Sequence, residues 1–312
     1  MSKVKMALLF SIIVWCTGIT FSKEAKNIKI GITQIVEHKA LDLSKQGFLK
    51  ALKDNGFGDA DIEARNAQGD FATAQLIAQS FVNQKKDLIF TISTPSSQAA
   101  LNATKEIPIV ITAVTDPTIA GLISKNLTGT SDPMPIDEQV NLIKQVLPNV
   151  KTVGLIYNTS EQNSAISIER TKKELEKVGL KFEEAGVTSI NDISPALSNL
   201  LNKVDLIFLT TDNLISSAAP LVIEMSNKAN KPVLAGEESH IPFGALMTRT
   251  IDFEKIGYRA GEMAVEILKG KAPSEIPIEP PKENRTIVNK KIAEKYNIDM
   301  SIEILKNAEI AD

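Results

Sequence analysis

Cysteine occurs once in the 312 residues, at position 16, and tryptophan once, at position 15. One cysteine excludes an internal disulfide framework, and a mature chain beginning beyond it would have no thiol chemistry. The two histidines, His38 and His240, are far apart in sequence. They form no cluster with metal-ligand spacing, so neither a metal nor another cofactor is expected. Thirty-five Lys and Arg against 38 Asp and Glu give a net charge of -3, which supplies no basic stripe and makes nucleic acid an unexpected partner. No Gly-x-Ser-x-Gly elbow is present, no acid pair is spaced in a way that argues for acid/base work, and Gly56-Phe-Gly58 lacks the third glycine of a dinucleotide fingerprint. Catalysis is therefore not expected.

What is present is the composition of a soluble globular protein, 43% hydrophobic and 23% charged, long enough for about two compact units. The first 22 residues stand apart. Lys3 and Lys5 precede the apolar run Met6 to Trp15, which is shorter than the roughly 20 residues needed to span a bilayer but suits a signal-peptide core. Thr20-Phe21-Ser22 offers small residues around a cleavable bond, so residues 1–22 read as a signal peptide and the chain as exported, to the periplasm or the outer face of the cytoplasmic membrane. Cys16 lies where a lipid-carrying cysteine would be found, but Trp15 precedes it where such a signal needs a small residue. A soluble mature chain is the expectation, a lipid anchor at Cys16 the alternative.

From residue 27 onward short β-rich runs alternate with helical ones, the pattern of an α/β protein with parallel sheets covered by helices. Strands are expected at Asn27 to Thr33, Asp61 to Asn66, Asp87 to Ser93 and Pro108 to Val114. The second half repeats the first. Lys151 to Tyr157 parallels Asn27 to Thr33, Asp205-Leu-Ile-Phe208 reproduces Asp87-Leu-Ile-Phe90, and Lys231 to Ala235 parallels Ile107 to Ile111. Three pairs in the same order and at similar spacing predict two related, doubly wound lobes. A helix at Phe253 to Lys269, the proline-rich stretch Pro273 to Pro281, a strand at Arg285 to Val288 and a helix at Asn289 to Asn297 do not fit a simple tandem pair. They predict a chain that crosses between lobes more than once, through a hinge.

Ligands of open parallel sheets gather beyond the carboxyl ends of the strands. There lie Gln34, Ile35 and His38; Thr94, Ser96 and Ser97; Thr115 and Asp116; Tyr157, Asn158, Glu161, Asn163 and Ser164; Asp212 and Asn213; and Glu237. Thr94 suits an N-cap and Pro95 the first helical position, so the amides and hydroxyls that follow would face an anion. The same residues also fit an ordinary capped helix start. Asn163 is expected to cap a second helix starting at Ser164, and two such termini facing one cleft would hold a carboxylate. Asp212, Asp116 and Glu237 are the acids expected to meet an ammonium group, Asp212 as a loop carboxylate whose removal should leave folding almost intact. Tyr157 and Ile35 are expected to face the ligand's side chain.

The ordered combination Gly31 to His38, Thr94 to Gln98, Ala113 to Pro117, Gly129 to Asp132 and Thr211 to Asn213 resembles the ABC-transporter substrate-binding family that includes tryptophan-binding proteins. The resemblance extends over about residues 27 to 300. It implies the type I periplasmic-binding fold, with crossovers near residues 131, 247 and 276. One lobe would then comprise 27–130 plus 248–275, the other 131–247 plus 276–312. It also implies a monomer that binds an aromatic amino acid, tryptophan or phenylalanine, and delivers it to an ABC permease. A sugar or nucleoside binder of the same fold is an alternative, disfavoured by only three tyrosines and no tryptophan after residue 15 to stack on a sugar ring. An exported enzyme is another.

Overall fold

The computed structural model describes residues 27–311. The proposed signal segment, with Trp15 and Cys16, lies outside the described residues. The first unit is built from β1 (Lys29–Gln34), α1 (Lys39–Asp54), β2 (Asp61–Asn66), α2 (Phe71–Asn83), β3 (Leu88–Ile92), α3 (Thr94–Ala103), β4 (Ile109–Thr112) and β5 (Leu127–Gly129). Its strands form one parallel sheet in the order β2-β1-β3-β4-β5. Every residue of β3 and β4 is buried, which is why both read as short continuous apolar runs.

The second unit contains α4 (Ile136–Val146), β6 (Thr152–Asn158), α5 (Gln162–Lys177), β7 (Lys181–Val187), α6 (Ile190–Leu201), β8 (Leu206–Phe208), α7 (Asn213–Ser217), α8 (Ala219–Lys228), β9 (Val233–Ala235) and β10 (Met247–Thr250). After α9 (Phe253–Leu268) the chain adds β11 (Arg285–Asn289), α10 (Lys290–Lys295) and β12 (Glu309–Ala311). These strands give a seven-stranded sheet, β12-β11-β10-β9-β8-β6-β7, parallel except where β11 runs against β10. The architecture is the α/β one expected, with two mostly parallel sheets.

The repeated Asp-Leu-Ile-Phe segment does the same work in both units. Asp87 Oδ2 accepts the amide of Lys29 at 2.8 Å, at the start of β1. Asp205 Oδ2 accepts the amides of Lys151 and Thr152, both at 2.9 Å, at the start of β6. Each aspartate satisfies amides that open the first strand of its unit, while Leu-Ile-Phe fills the sheet interior.

Three passages connect the units. The first leaves β5, and the third runs beside it: Ser131 donates its amide to Glu279 O, and Glu279 donates to Gly129 O, both at 3.0 Å. Thr128 Oγ1 also donates to Ile276 O at 2.7 Å. The second passage falls after Thr250, later than residue 247, because Met247–Thr250 pairs with β9 on one side and β11 on the other. Residues 248–250, expected with the first lobe, therefore belong to the seven-stranded sheet.

From that passage α9 returns to the first unit and lies against α1 at a separation only glycine allows. A Cβ on Gly257 would stand 2.0 Å from Ser44 O, and one on Gly47 would stand 2.1 Å from Glu254 O. The contact is closed by Ser44 Oγ donating to Phe253 O at 3.1 Å. The partners at both glycines are backbone atoms, so neither can swing aside. Gly257→Ala is expected to force the helices apart and to lower the urea midpoint by the equivalent of about 1–3 kcal/mol, the usual cost of overpacking.

Candidate functional site

Loops from the carboxyl ends of both sheets converge on a small cavity of about 20 Å³. The first unit contributes His38 and Leu41 at the start of α1, Ala113 and Thr115 after β4, and Phe253 at the start of α9. The second contributes Asn163 from α5, Thr211, Asp212, Asn213 and Ser216 around the start of α7, and Glu237 after β9. Asp132 enters from the first passage between the units. Two non-glycine residues at strand ends of the first unit have positive φ, Ser93 at 88° and Ala113 at 53°. Such conformations cost roughly 1–3 kcal/mol each, and Ala113 itself lines the cavity.

Buried carboxyl groups dominate the electrostatics. Burial raises Asp132 to about 8, with the charge of Glu237 adding to the rise and a hydrogen bond from Thr115 opposing it. Its Oδ1 has no hydrogen-bond partner. Glu237 is also buried, which by itself would raise it. The charges of His38 and His240 outweigh that and hold it down at about 2 while the imidazoles are protonated. Glu237 Oε1 stands 2.8 Å from His240 Nε2 and 3.7 Å from His38 Nδ1. Neither approach has hydrogen-bond geometry, so this oxygen too lacks a directed partner.

Two other acids face inward but are fully engaged. Glu161 accepts the side-chain amides of Asn158, Asn163 and Asn213 and the backbone amides of Asn213 and Leu214. Asp212 Oδ2 accepts the Asn158 amide at 2.5 Å, and its Oδ1 accepts the Ile215 amide at 2.8 Å, which makes it the N-cap of α7. Burial, and after it the charge of Glu161, raises Asp212 to about 7.

The structure thus sorts the residues singled out in the sequence. His38, Thr115, Asn163, Asp212, Asn213 and Glu237 line the cavity. Thr94, Ser96 and Ser164 do not line it; the hydroxyls of Thr94 and Ser96 are buried without partners at the N-terminus of α3, and Ser164 stands by Asp212 at the start of α5. Ser97 turns away, bonding Thr91 Oγ1 and Ser93 O, both at 2.8 Å. Gln34 is held within its own loop by Val36, Asp42 and Lys45, and Ile35 is part of the core. Tyr157 packs on that core, and Asn158 and Glu161 brace the start of α7. Asp116 lies outside the cavity, ion-paired with Arg170.

Both expected helix starts shift. Ser93, not Thr94, is the residue before α3, because its positive φ ends β3 and lets the helix begin at Thr94. Helix α5 begins at Gln162 after Glu161, so Asn163 lies inside it rather than capping it. The role expected of Asp212 as a freely removable loop acid also fails, since both its oxygens carry backbone amides. Leu41, Ala113, Asp132, Thr211, Ser216 and Phe253 were not singled out. Asp132, Ala113 and Thr211 lie in the motifs Gly129 to Asp132, Ala113 to Pro117 and Thr211 to Asn213 and could have been found there; Leu41, Ser216 and Phe253 carried no local signal.

Two related α/β units joined by three passages, with a buried polar cavity at their facing strand ends, define a type I periplasmic-binding fold. Residues 29–311 match the family described as ABC transporter substrate binding protein, and the chain belongs to that family. Members of this family are solute-binding proteins. It is 46% identical over 279 residues to a tyrosine-binding protein of Clostridioides difficile, a match covering 86% of this chain and 80% of the relative. It is 34% identical to an ABC domain from Streptococcus pneumoniae solved in complex with L-Trp, with a TM-score of 0.88 over 91% of this chain and 100% of that one. It is 43% identical to a substrate-binding protein with adhesive properties from Clostridium difficile, solved ligand-free and open. There the TM-score is 0.68 over 91% of this chain and 99% of that one.

Replacing Asp212 tests the capping role. Asp212→Ala is expected to lose about 1–3 kcal/mol in urea unfolding, because it strands two buried amides. Asp212→Asn keeps one acceptor oxygen and is expected to lose less.

Proposed function

We propose that this protein captures a free amino acid with an aromatic side chain between its two lobes and presents it, outside the cytoplasmic membrane, to an ABC permease. The observation that carries this reading is the pair of buried acids that line the cavity, together with unpartnered hydroxyls at a helix N-terminus. Two buried acids, Asp132 and Glu237, each offer an oxygen without a directed partner. Glu237 already has two imidazoles beside it, whereas a group such as Asp132 is costly unless a cation meets it, and an α-ammonium group is a compact one. The free hydroxyls of Thr94 and Ser96 stand at the N-terminus of α3, where the helix dipole favours an anion, and they are assigned to the α-carboxylate. Leu41, Ala113 and Phe253 supply the apolar wall for the side chain.

The arrangement of the two units supports a ligand-ready state. The chain is closer in sequence to the open, ligand-free relative than to the L-Trp complex, yet it superposes far better on the complex. Together with the tyrosine-binding relative, this favours tyrosine and tryptophan as the first ligands to try. On this reading the protein acts as a monomer, needs no cofactor and has no nucleic-acid partner.

A thermal-shift screen of the twenty amino acids with a panel of sugars and nucleosides tests the proposal. Tyrosine or tryptophan at about 100 times its Kd should add roughly 2.7 kcal/mol of stability. Stabilisation by sugars alone would refute it. A chain starting at residue 27 contains no tryptophan, so L-tryptophan binding is directly visible in ligand emission.

Protonation gives a second test. Asp132 and Asp212 have folded pKa values of about 8 and about 7, above their ordinary 3.8. The folded, ligand-free protein therefore binds more protons than the unfolded chain, and these two groups make stability fall as pH rises from about 4 to 8. An ammonium group beside Asp132 favours its ionised form. Binding near pH 7 is thus expected to release a proton, read by calorimetry in buffers of different ionisation enthalpy. Asp132→Asn should abolish the release; an unchanged release in that variant would remove Asp132 from the ammonium site.

A further inference from the structure

A second set of contacts joins the two units outside the cavity. Arg170, on α5 of the second unit, donates from Nη2 to Asp116 Oδ2 in the loop after β4 of the first. The other Asp116 oxygen accepts the amide of Ile119 at 2.9 Å, which holds the loop and aims the carboxylate. Beside this pair, Gln162 at the start of α5 donates from Nε2 to Ile119 O at 3.1 Å. Its Oε1 accepts from Gln98 Nε2 of α3 at 2.6 Å, and Gln98 also donates to Ala120 O at 3.1 Å.

The amide orientations are mutually consistent. Gln162 must direct its nitrogen at a carbonyl of the loop, which leaves its oxygen for Gln98, whose nitrogen has a second hydrogen for Ala120 O. All four side chains belong to elements that must separate when the lobes part, and none lines the cavity.

We infer that Asp116, Arg170, Gln98 and Gln162 form a rim latch that holds the lobes closed and sets how long a captured ligand stays. These are positioning residues, since they act on the ligand only through lobe closure. The inference rests on the two-lobed capture reading for its ligand, but the latch itself acts on the closed population with or without one. A ligand can shift that population only by its differential affinity for the two states, and contacts made solely in the closed state add to the same balance. Arg170 is partly exposed, so its pairing is screened and the latch weakens with salt.

Charge reversal tests it. Asp116→Arg and Arg170→Glu each replace attraction by like-charge contact, and the double variant restores the pair in reverse. With L-tryptophan or L-tyrosine as the probe, each single variant is expected to release ligand about three- to tenfold faster in stopped flow with little change in the association rate. The double variant should return toward the wild-type rate. Spin labels on exposed positions of the two units give a readout without ligand: each single reversal should shift the inter-lobe distance distribution toward longer separations, and the double should reverse the shift. If neither amino acid binds, the aromatic-ligand reading fails and the latch is judged by the ligand-free distances. Release rates and distances unchanged by either single reversal, or no recovery in the double variant, would overturn the latch.

Discussion

A carboxyl group withdrawn from water must be protonated, hydrogen-bonded or paired with a cation, and the facing strand ends of this protein bury four of them. Glu161 is satisfied by five N–H groups and so serves as an internal brace. Asp212 caps α7 with both oxygens. Glu237 sits between two imidazoles. Asp132 is raised chiefly by burial and retains its proton to about 8. The first two are used up in shaping the second unit, while Glu237 and Asp132 each leave an oxygen facing the cavity without a directed partner. The division between structural and ligand-directed acids follows from this count of donors.

The scaffold around these acids is rigid where it needs to be. Glycines at the α1–α9 contact bring backbone against backbone, and the side-by-side first and third passages tie the units at one edge. The rim contact of Asp116 and Arg170 joins the same units at a second place. His38 contributes to the same seam. Its Nε2 lies 3.4 Å from Asn213 Oδ1, and its Nδ1 faces Glu237, so the start of α1 in one unit meets two loops of the other.

Family and site support each other without being the same argument. Membership in the ABC transporter substrate-binding family rests on a match over nearly the whole described chain. The ligand reading rests on the cavity's buried acids and on unpartnered hydroxyls at the N-terminus of α3, with relatives that bind tyrosine and tryptophan indicating the side chain.

Much of the fold was legible in sequence because its signals are local. Continuous apolar runs such as Leu88–Ile92 announce buried parallel strands, and the repeat of Asp87-Leu-Ile-Phe90 at Asp205-Leu-Ile-Phe208 announces two units, since each aspartate binds the opening of its own first strand. The irregular tail announced repeated crossing. What sequence could not assign was the partner of each polar group. Asp212 looked like a free loop acid because the Asn158 amide it holds is 54 residues away, and Asp116 looked like a ligand contact because Arg170 is equally distant in sequence. Leu41, Ala113 and Phe253 resemble any core residue until three separate segments meet around one cavity. Local pattern determines where strands and helices form, because it acts through neighbouring backbone and side chains. Which carboxyl group is satisfied and which remains open is decided only in the tertiary structure, where donors from distant segments compete for the same oxygen atoms.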